Sequence, residues 1–475
     1  MAVLIECRRD ITLDAVRRVA WRGEPVEIGP RALAAMAQAR TRFEKLIEDT
    51  DVVIYGVTTG YGQNARHRLE PAARKAHAKR PPVAAAASWG DPLPERVVRA
   101  ILLARLANFV DGHAAATPAL ALGVAHMLDG RPLPEIPARG QGGAGEILAL
   151  SHLFLGLARS SELGEKDMLS LVNGAPCASA LAADAALAAA GRIELAAQVL
   201  ALAAEGFNAP LSHFAEELEE LWNNPYDGWA LRRLRALIAG GHGGPRRPYQ
   251  APVSFRILPR ILGQARRGSV FAAEVASESL AAVSDNPVIL PPDADHPLGR
   301  AVSTGGYHNA QAPMAMDLLT AAYANLCVIA ERMSAKLLDG PISLLPDQLG
   351  IADSSGRYLG CLPMAITGYE EEARGLAQAT LLPGAESGGF GQNDIASPVF
   401  LAWSKQERAG VLLECALAAL APIALGAIEV TGRPVPEPLA RLAGDVRQTV
   451  PDDATAPLGP ATGALADRLR QRVYG

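Results

Sequence analysis

Long alanine-rich segments with helical spacing limit the folds that this chain can adopt. Two examples run from Leu181 to Ala204 and from Met314 to Leu338, with apolar residues at helical spacing and only scattered charges. Aromatic residues are only 5% of a chain that is 49% hydrophobic, so alanine and leucine must fill the core. Alanine favours helices, and long helices of this kind pack into bundles. We therefore predict an all-α protein, with a long central helical bundle and a smaller mixed N-terminal part.

Charge and cysteine content exclude several classes of function. Lys and Arg total 45 against 50 Asp and Glu, a net charge of -5, and there is no long basic run, so nucleic acid is not an expected partner. The five cysteines are scattered, with no CxxC pair and no histidine cluster at metal-ligand spacing, so we expect reduced thiols and no metal. The N-terminal apolar residues precede the charges, unlike a signal peptide, and we expect a cytoplasmic protein.

One segment is apolar enough to suggest a membrane span. Residues Val411 to Val430 are nearly all apolar but include Glu414, Pro422 and Glu429. About 20 apolar residues can span a bilayer. A helix buried all round, inside a bundle or a subunit interface, explains the same pattern, and we predict that and no membrane partner.

The N-terminal part predicts a mixture of short elements. Thr12 is a candidate cap for a first helix, and Pro30 opens a second that runs to about Ile47. A β-like run, Val52 to Tyr55, then enters a glycine-rich loop at 56–62. The pattern is helical from Pro94 to Ala107 and stays helical with few breaks from about residue 165. We place the domain boundary there, with a mixed part at 1–165 and a long-helix bundle at 166–475.

Several sequence blocks stand out in a fixed order. They are Tyr55-Gly56-Val57-Thr58-Thr59-Gly60-Tyr61-Gly62, the glycine-rich loop at 139–146, Asn173-Gly174, Ser254-Phe255-Arg256 with Pro259, Ser284-Asp285-Asn286-Pro287, and Gly305-Gly306-Tyr307-His308. In order and spacing these blocks resemble the family of histidine, phenylalanine and tyrosine ammonia-lyases and aminomutases. The resemblance covers nearly the whole chain. It implies the helical fold of the histidine ammonia-lyase and fumarase type, and a homotetramer whose active sites each draw on three subunits.

The resemblance fails at the residue that makes the family's cofactor. Family members cyclise an Ala-Ser-Gly triplet, and its serine loses water to give the electrophile methylidene-imidazolone (MIO). Here the matching triplet is Gly143-Ala144-Gly145, and the loop is one residue shorter than the family pattern. Alanine has no hydroxyl to lose, and the next one, on Ser151, is expected on the following helix. The predicted cofactor is therefore none, with MIO absent.

The resemblance assigns roles to four residues. Tyr55 matches the tyrosine that removes the β-proton, a weak base that needs activation by neighbouring donors. Arg256 matches the arginine that clamps the substrate carboxylate through two parallel donors. Asn173 and Gln250 match amides that hold the carboxylate or the cofactor oxygen. Amides can stabilise developing negative charge without titrating.

Other pocket positions depart from the family. Val253 replaces a second catalytic tyrosine, and Ala84-Ala85 replaces the pair that selects the ring type, which implies a larger, drier pocket. In the Gln392-Asn393 pair, Asn393 stands where the histidine-specific members of the family have a glutamate. Tyr307 replaces a phenylalanine. His308 is retained, with a structural or a functional role.

The residues and the missing serine together predict an enzyme of this superfamily that works without MIO. Its substrate would be an activated small carboxylate, carbonyl compound or amino-acid derivative, with elimination, isomerisation, conjugate addition or cyclisation as the reaction and secondary metabolism as the setting. Tyr55 would be the acid/base and Arg256 the clamp. Two alternatives remain: a conventional aromatic amino acid ammonia-lyase or aminomutase, and an inactive homologue that binds a carboxylate.

Overall fold

The computed structural model describes residues 2–242, 244–353, 358–385, 391–452 and 455–475. Helices dominate this part of the chain, and the predicted mainly α fold is confirmed. The chain divides into two compact units, each built from separate stretches. The first is Met1–Leu187, Ala272–Met316 and Thr380–Ser404, and the second is Ala188–Phe271, Asp317–Ala379 and Lys405–Gly475. The predicted boundary between 1–165 and 166–475 stays a prediction.

The described helices range from single turns to long rods. In chain order they are α1 Leu13–Val16, α2 Pro30–Leu46, α3 Pro71–Ala78, α4 Glu95–Leu106, α5 Pro118–His126, α6 Ile147–Ser160, α7 Asp167–Val172, α8 Pro176–Gly206, α9 Leu218–Trp222, α10 Pro225–Ile238, α11 Val253–Arg256, α12 Leu258–Leu280, α13 Gln311–Leu338, α14 Gly340–Ser343, α15 Leu362–Leu376, α16 Val399–Glu429, α17 Ala440–Thr449 and α18 Leu458–Tyr474. Thr12 caps α1 as predicted, accepting a hydrogen bond from the Ala15 amide at 3.2 Å.

The longest helices are apolar and largely buried. Three helical stretches, Asp167–Gly206, Gln311–Leu338 and Val399–Glu429, are long and apolar enough to cross a membrane by length and composition. Between 67% and 83% of their most apolar windows lie buried inside the protein. The prediction of a buried helix around residues 411–430 is confirmed by α16, which carries Pro422 inside it.

Short strands occur in the first unit. Strands β1 (Val3–Ile5) and β2 (Val26–Ile28) pair in parallel, and β3 (Val288–Leu290) pairs antiparallel with β4 (Arg300–Val302). The β3–β4 hairpin interrupts the region that we predicted to be helical with few breaks. Each strand of this hairpin is too short to give a clear alternating pattern in the sequence.

The predicted β-like run from Val52 to Tyr55 is wrong, because these residues form a loop. Ile54 is buried in a cluster with Phe43, Ile47 and Val57, and this packing explains the apolar residues without a strand. The Thr58 hydroxyl accepts the Ile54 amide at 2.7 Å, so a side chain replaces the partner strand.

The second unit contains a buried charge network around Arg192 of α8. Its guanidinium is fully buried and donates to Glu414 at 2.8 Å, to Glu407 at 3.1 Å and to the Tyr474 hydroxyl at 3.0 Å. The network therefore joins α8, α16 and α18. Gly410 makes room for it, since a Cβ there would lie 2.2 Å from the guanidinium carbon.

Candidate active site

The first unit encloses a cavity of about 750 Å³ that collects most of the predicted site residues. Its wall combines the Tyr55 loop, the 80–85 segment, the end of α7, residues after α12 and the glycine-rich loop at 139–146, called the degenerate loop because it lacks the family's serine. The predicted residues that line it are Tyr55, Ala84, Ala85, Gly143, Ala144, Gly145, Asn173, Tyr307, Gln392 and Asn393. Residues distant in sequence thus meet at one cavity.

Backbone contacts hold Tyr55 at the cavity wall. Its hydroxyl oxygen accepts a hydrogen bond from the Gly62 amide at 3.1 Å. Gly56 next to it has a φ of +69°, and a Cβ there would lie 2.8 Å from the side chain of Leu169, so glycine is required. A backbone N–H aimed at a phenol oxygen can stabilise negative charge that develops there. The loop therefore presents Tyr55 in a position suited to acid/base chemistry.

The degenerate loop is fixed by its flanking residues. The Gly143 carbonyl accepts the Ser397 amide at 3.0 Å. The Gln141 side chain donates to the Pro137 carbonyl at 2.7 Å and to the Ser88 hydroxyl at 3.0 Å. These bonds hold the backbone on the N-terminal side of Ala144, whose methyl group takes part in none of them.

Glu146 closes the loop against the start of α8, and the sequence analysis missed it. Its carboxylate accepts hydrogen bonds from the backbone amides of Cys177 and Ala178, the latter at 2.7 Å, at the N-terminus of the helix. Burial raises the pKa of Glu146 to about 7, against the lowering effect of these amides and of Arg105. A buried titratable carboxyl group thus anchors the cavity wall.

Replacing Glu146 with glutamine is expected to change how stability depends on pH. The pKa of Glu146 is higher in the folded protein than in the unfolded chain, so protonation of this group stabilises the fold. This stabilisation is fully present below about pH 4.5 and is lost as the pH rises through about 7. Glutamine keeps an acceptor and cannot titrate. From about pH 4.5 to about pH 8, the unfolding free energy of the wild type should therefore fall by about 3 kcal/mol relative to the variant. Urea unfolding of both proteins measures this difference, and a difference that is constant with pH would contradict it.

Amide side chains brace a second part of the wall. Asn173 ends α7, donates to the Asn286 carbonyl and accepts the Gly174 amide at 2.7 Å. The Asn286 side-chain oxygen accepts the Thr304 amide at 2.9 Å and the Ser303 hydroxyl at 3.3 Å. The oxygens of both amides are therefore engaged within the wall itself.

Buried cations lie behind these amides. Lys166 forms a fully buried ion pair with Asp285, and Arg105 donates to the Asn173 carbonyl. Burial lowers the pKa of both Lys166 and Arg105. Within the described structure, Nε and Nη2 of Arg105 have no hydrogen-bond partner. The positive charge of the Arg105 guanidinium is offset in part by Asp285 and Glu146.

Tyr61 and Arg80 complete the lining and were not among the predicted site residues. The Tyr61 ring packs against His77 with centroids 4.5 Å apart. Burial raises the pKa of the Tyr61 hydroxyl, and the nearby charge of Arg80 opposes this rise. The described structure shows no ion pair for Arg80, so the cavity contains a cation that is available to an anionic ligand. Tyr61 lay inside a block already noted, whereas no pattern around Arg80 pointed to the cavity.

Four predicted residues lie elsewhere. Gln250, Val253 and Arg256 belong to the second unit, and the described lining of the cavity does not include them. Val253 and Arg256 form the short helix α11, with Arg256 half-buried and Gln250 exposed. His308 belongs to the first unit but does not line the cavity, and its Nε2 lies 3.4 Å from the Ala396 carbonyl oxygen.

This fold is found in solved ammonia-lyases and aminomutases. An ergothioneine-degrading ergothionase from Treponema denticola matches with a TM-score of 0.90 and 20% identity, covering 100% of this chain and 99% of that chain. A tyrosine aminomutase from Streptomyces globisporus matches with a TM-score of 0.89 and 22% identity, covering 100% and 98%. At such identities the likeness shows the fold alone. The class that these neighbours define is therefore one of fold, a mainly helical scaffold, and in this chain its first unit contains the cavity.

The chain belongs to the aromatic amino acid lyase family, whose sequence profile matches residues 11–451. Histidine ammonia-lyase from Anaeromyxobacter dehalogenans is 30% identical over 386 residues, covering 73% of this chain and 74% of that protein. Histidine ammonia-lyase from Streptomyces coelicolor is 30% identical over 360 residues, covering 69% of each. The family resemblance drawn from the sequence blocks is confirmed.

Proposed function

We propose that this protein is an enzyme that uses the ammonia-lyase scaffold without MIO and acts on a substrate that is already activated. The observation that carries the proposal is the placement of Ala144 and Tyr55 on the wall of one cavity. Ala144 cannot become the electrophile, and Tyr55 is the proposed base. A scaffold that keeps its base and loses its electrophile needs a substrate with its own good leaving group or acidic proton.

The MIO group does not fit the residues present. Its exocyclic carbon derives from a serine side chain, and the residue in that position is Ala144, between Gly143 and Gly145. Ser151, the next residue along the chain with a hydroxyl, is fully buried within α6. The proposed reaction therefore does not use MIO.

An elimination illustrates the chemistry that these residues support. The Tyr55 oxygen takes the β-proton, the electrons of the broken C–H bond form a carbon–carbon double bond, and the leaving group departs from the α-carbon with its bonding electrons. The phenolate form of Tyr55 is the proton acceptor in this step, and the Gly62 amide that donates to its oxygen stabilises that form. Isomerisation, conjugate addition and cyclisation require the same positioned acid/base.

We assign the carboxylate clamp to Arg256, supported by Gln250 and Asn173. Arg256 is half-buried, and its Nε has no hydrogen-bond partner within the described structure, as expected of a donor kept for a ligand. Arg256 and Gln250 belong to the second unit, and the proposed homotetramer would let another subunit supply them. Two features support an amino-acid-derived substrate. The curated relatives are named histidine ammonia-lyases, and one solved neighbour is named for degrading ergothioneine.

Intact-mass measurement with fragment mapping across residues 139–147 tests the absence of MIO. We expect the unmodified mass of the encoded chain, because Ala144 has no side-chain hydroxyl to lose as water. A family member with the Ala-Ser-Gly triplet, digested in parallel, should show the loss of water in the matching peptide. The same loss in this chain would restore the conventional ammonia-lyase, as would ammonia release from an aromatic amino acid.

A further inference from the structure

The short segment before α11 contains Gln250 and has few groups that can hold its backbone. Prolines stand at both of its ends, Pro248 and Pro252, and neither has an amide proton to donate. Pro252 is the N-cap of α11, and its carbonyl accepts the Arg256 amide at 3.3 Å. The positions of both proposed clamp residues, Gln250 and Arg256, therefore depend on what holds this segment.

One side chain of the second unit holds the segment. The imidazole Nε2 of His213 accepts the Ala251 amide at 3.2 Å. Within the described residues, this is the one hydrogen bond that residues 248–251 make. Ala251 is buried, so water is a poor substitute for this acceptor. An accepting nitrogen must carry a lone pair, so the ring is neutral and its proton is on Nδ1.

His213 is itself attached to a fixed part of the second unit. It lies in a short helical turn, Leu211–Phe214, that packs on α10. Phe214 is buried, and its carbonyl accepts a hydrogen bond from the Arg235 guanidinium of α10 at 3.0 Å. Arg235 is also paired with Glu219 of α9. The turn therefore gives the imidazole a firm base from which to hold the mobile-backbone side of the contact, the segment at 248–252.

Charge keeps the imidazole in its accepting form. Burial, and then the nearby charge of Arg256, lower the pKa of half-buried His213. Arg235 also lies beside the turn, and its charge is balanced by Glu219. The ring therefore stays neutral at neutral pH and protonates only below the ordinary range of histidine. A proton on Nε2 would take the lone pair from the Ala251 amide and place a second cation next to Arg256.

We propose that His213 is a positioning residue for the substrate clamp, because its neutral imidazole holds the Ala251 backbone between Gln250 and α11. This inference rests on the proposed function, which assigns carboxylate binding to Arg256 and Gln250. His213 acts through the backbone that presents these two side chains. Without this hydrogen bond the segment can move, so carboxylate affinity should fall while the fold remains.

Amide hydrogen exchange measures this hydrogen bond directly. Because prolines stand at both ends, a peptide covering residues 248–252 reports on three amides, and only that of Ala251 donates in the described structure. His213→Leu removes the acceptor and should accelerate exchange in this peptide about fivefold. His213→Gln keeps an acceptor and should exchange nearly as the wild type does. Wild-type exchange in His213→Leu would overturn the inference.

The pH dependence separates a titrating imidazole from a contact that only supports the structure. The ratio of wild-type exchange to that of His213→Gln cancels the intrinsic effect of pH on the exchange reaction. We expect a ratio near one at about pH 7.5 that rises about fivefold as acid protonates His213, since glutamine does not titrate. A ratio that stays constant down to the acid limit of folding would contradict the proposed role.

Binding of a simple carboxylate tests the effect on the clamp. The probe is phenylpropionate, and phenylpropionamide is the uncharged control, both measured by calorimetry at about pH 7.5. His213→Leu and Arg256→Lys should each weaken phenylpropionate binding about fivefold or more and leave amide binding unchanged. His213→Gln should keep the wild-type affinity. If His213→Leu weakens both ligands equally, or neither, the inference is wrong.

The Arg256→Lys variant distinguishes this inference from the proposed function. Weaker phenylpropionate binding in Arg256→Lys but not in His213→Leu would leave the clamp standing and refute the role of His213. If Arg256→Lys binds phenylpropionate as the wild type does, the clamp is refuted and the inference falls with it. Circular dichroism checks that His213→Leu is folded. The pH-dependent ratio between the wild type and His213→Gln decides the question if it is not.

Discussion

Replacing Tyr55 with phenylalanine is expected to lower kcat about 10²- to 10⁴-fold while substrate binding changes little. The phenol oxygen is the proposed proton acceptor, and a positioned acid/base contributes an effect of this size. The ring still fills its place on the wall. Removing the oxygen leaves the Gly62 amide without that acceptor, which costs about 1 kcal/mol of stability and not the fold. Steady-state kinetics on the activated substrate, with Tyr226→Phe in α10 as the control, measures the effect.

Arg256→Lys tests the other half of the same proposal. Lysine keeps the charge and loses the forked geometry that binds a carboxylate through two parallel bonds. We expect KM to rise about tenfold or more while kcat changes less than about threefold. Activity in Tyr55→Phe equal to that of the wild type would remove the tyrosine from the mechanism. Unchanged KM in Arg256→Lys would remove the clamp.

The second large effect is expected on stability, from Gly410→Ala in α16. Alanine usually stabilises a helix relative to glycine by about 1 kcal/mol. Here the added Cβ would lie 2.2 Å from the guanidinium carbon of Arg192. Displacing that buried cation would leave Glu414 without one of its two partners, Arg192 and Arg470. Breaking a buried ion pair costs about 3–5 kcal/mol, so a net loss of about 2–4 kcal/mol is expected once the helix gain is subtracted.

Gly368→Ala in α15 is the matched control. It is also a helical glycine of the second unit, but nothing lies within 4 Å of the position of an added Cβ. Urea unfolding should show a gain of up to about 1 kcal/mol for this variant. Equal stability of the two alanine variants would show that the Arg192 network rearranges without penalty.

The helical architecture could be predicted because it rests on patterns that repeat along the chain. The apolar spacing at 181–204 and 314–338 predicted the helices α8 and α13. In the structure each helix is a few residues longer at one or both ends. The run at Val52–Tyr55 was misassigned because its apolar side chains serve loop packing. A local pattern cannot distinguish a strand from a buried loop whose amides are satisfied by a side chain such as Thr58.

The sequence identified candidate site residues only where they belong to recognisable sequence blocks. Tyr55, Asn173 and Tyr307, each from a different block, line one cavity, while their roles stay predictions. The sequence did not point to Glu146 and Arg80, because their importance comes from burial and from proximity to other groups. Neither property leaves a recognisable residue spacing in the sequence. Arg256 and Gln250 belong to the second unit, and the sequence blocks that contain them do not record which cavity they would serve.

The anchoring of the degenerate loop separates architecture from reactivity. Gln141, Gly143 and Glu146 hold the loop through bonds to Ser88, Pro137, Ser397 and the start of α8. None of these bonds uses the side chain of residue 144. A lineage could therefore exchange the side chain at this position in a single step and keep its cavity intact. Such a scaffold can abandon one chemistry before it has acquired another, which makes it a suitable starting point for new enzymes.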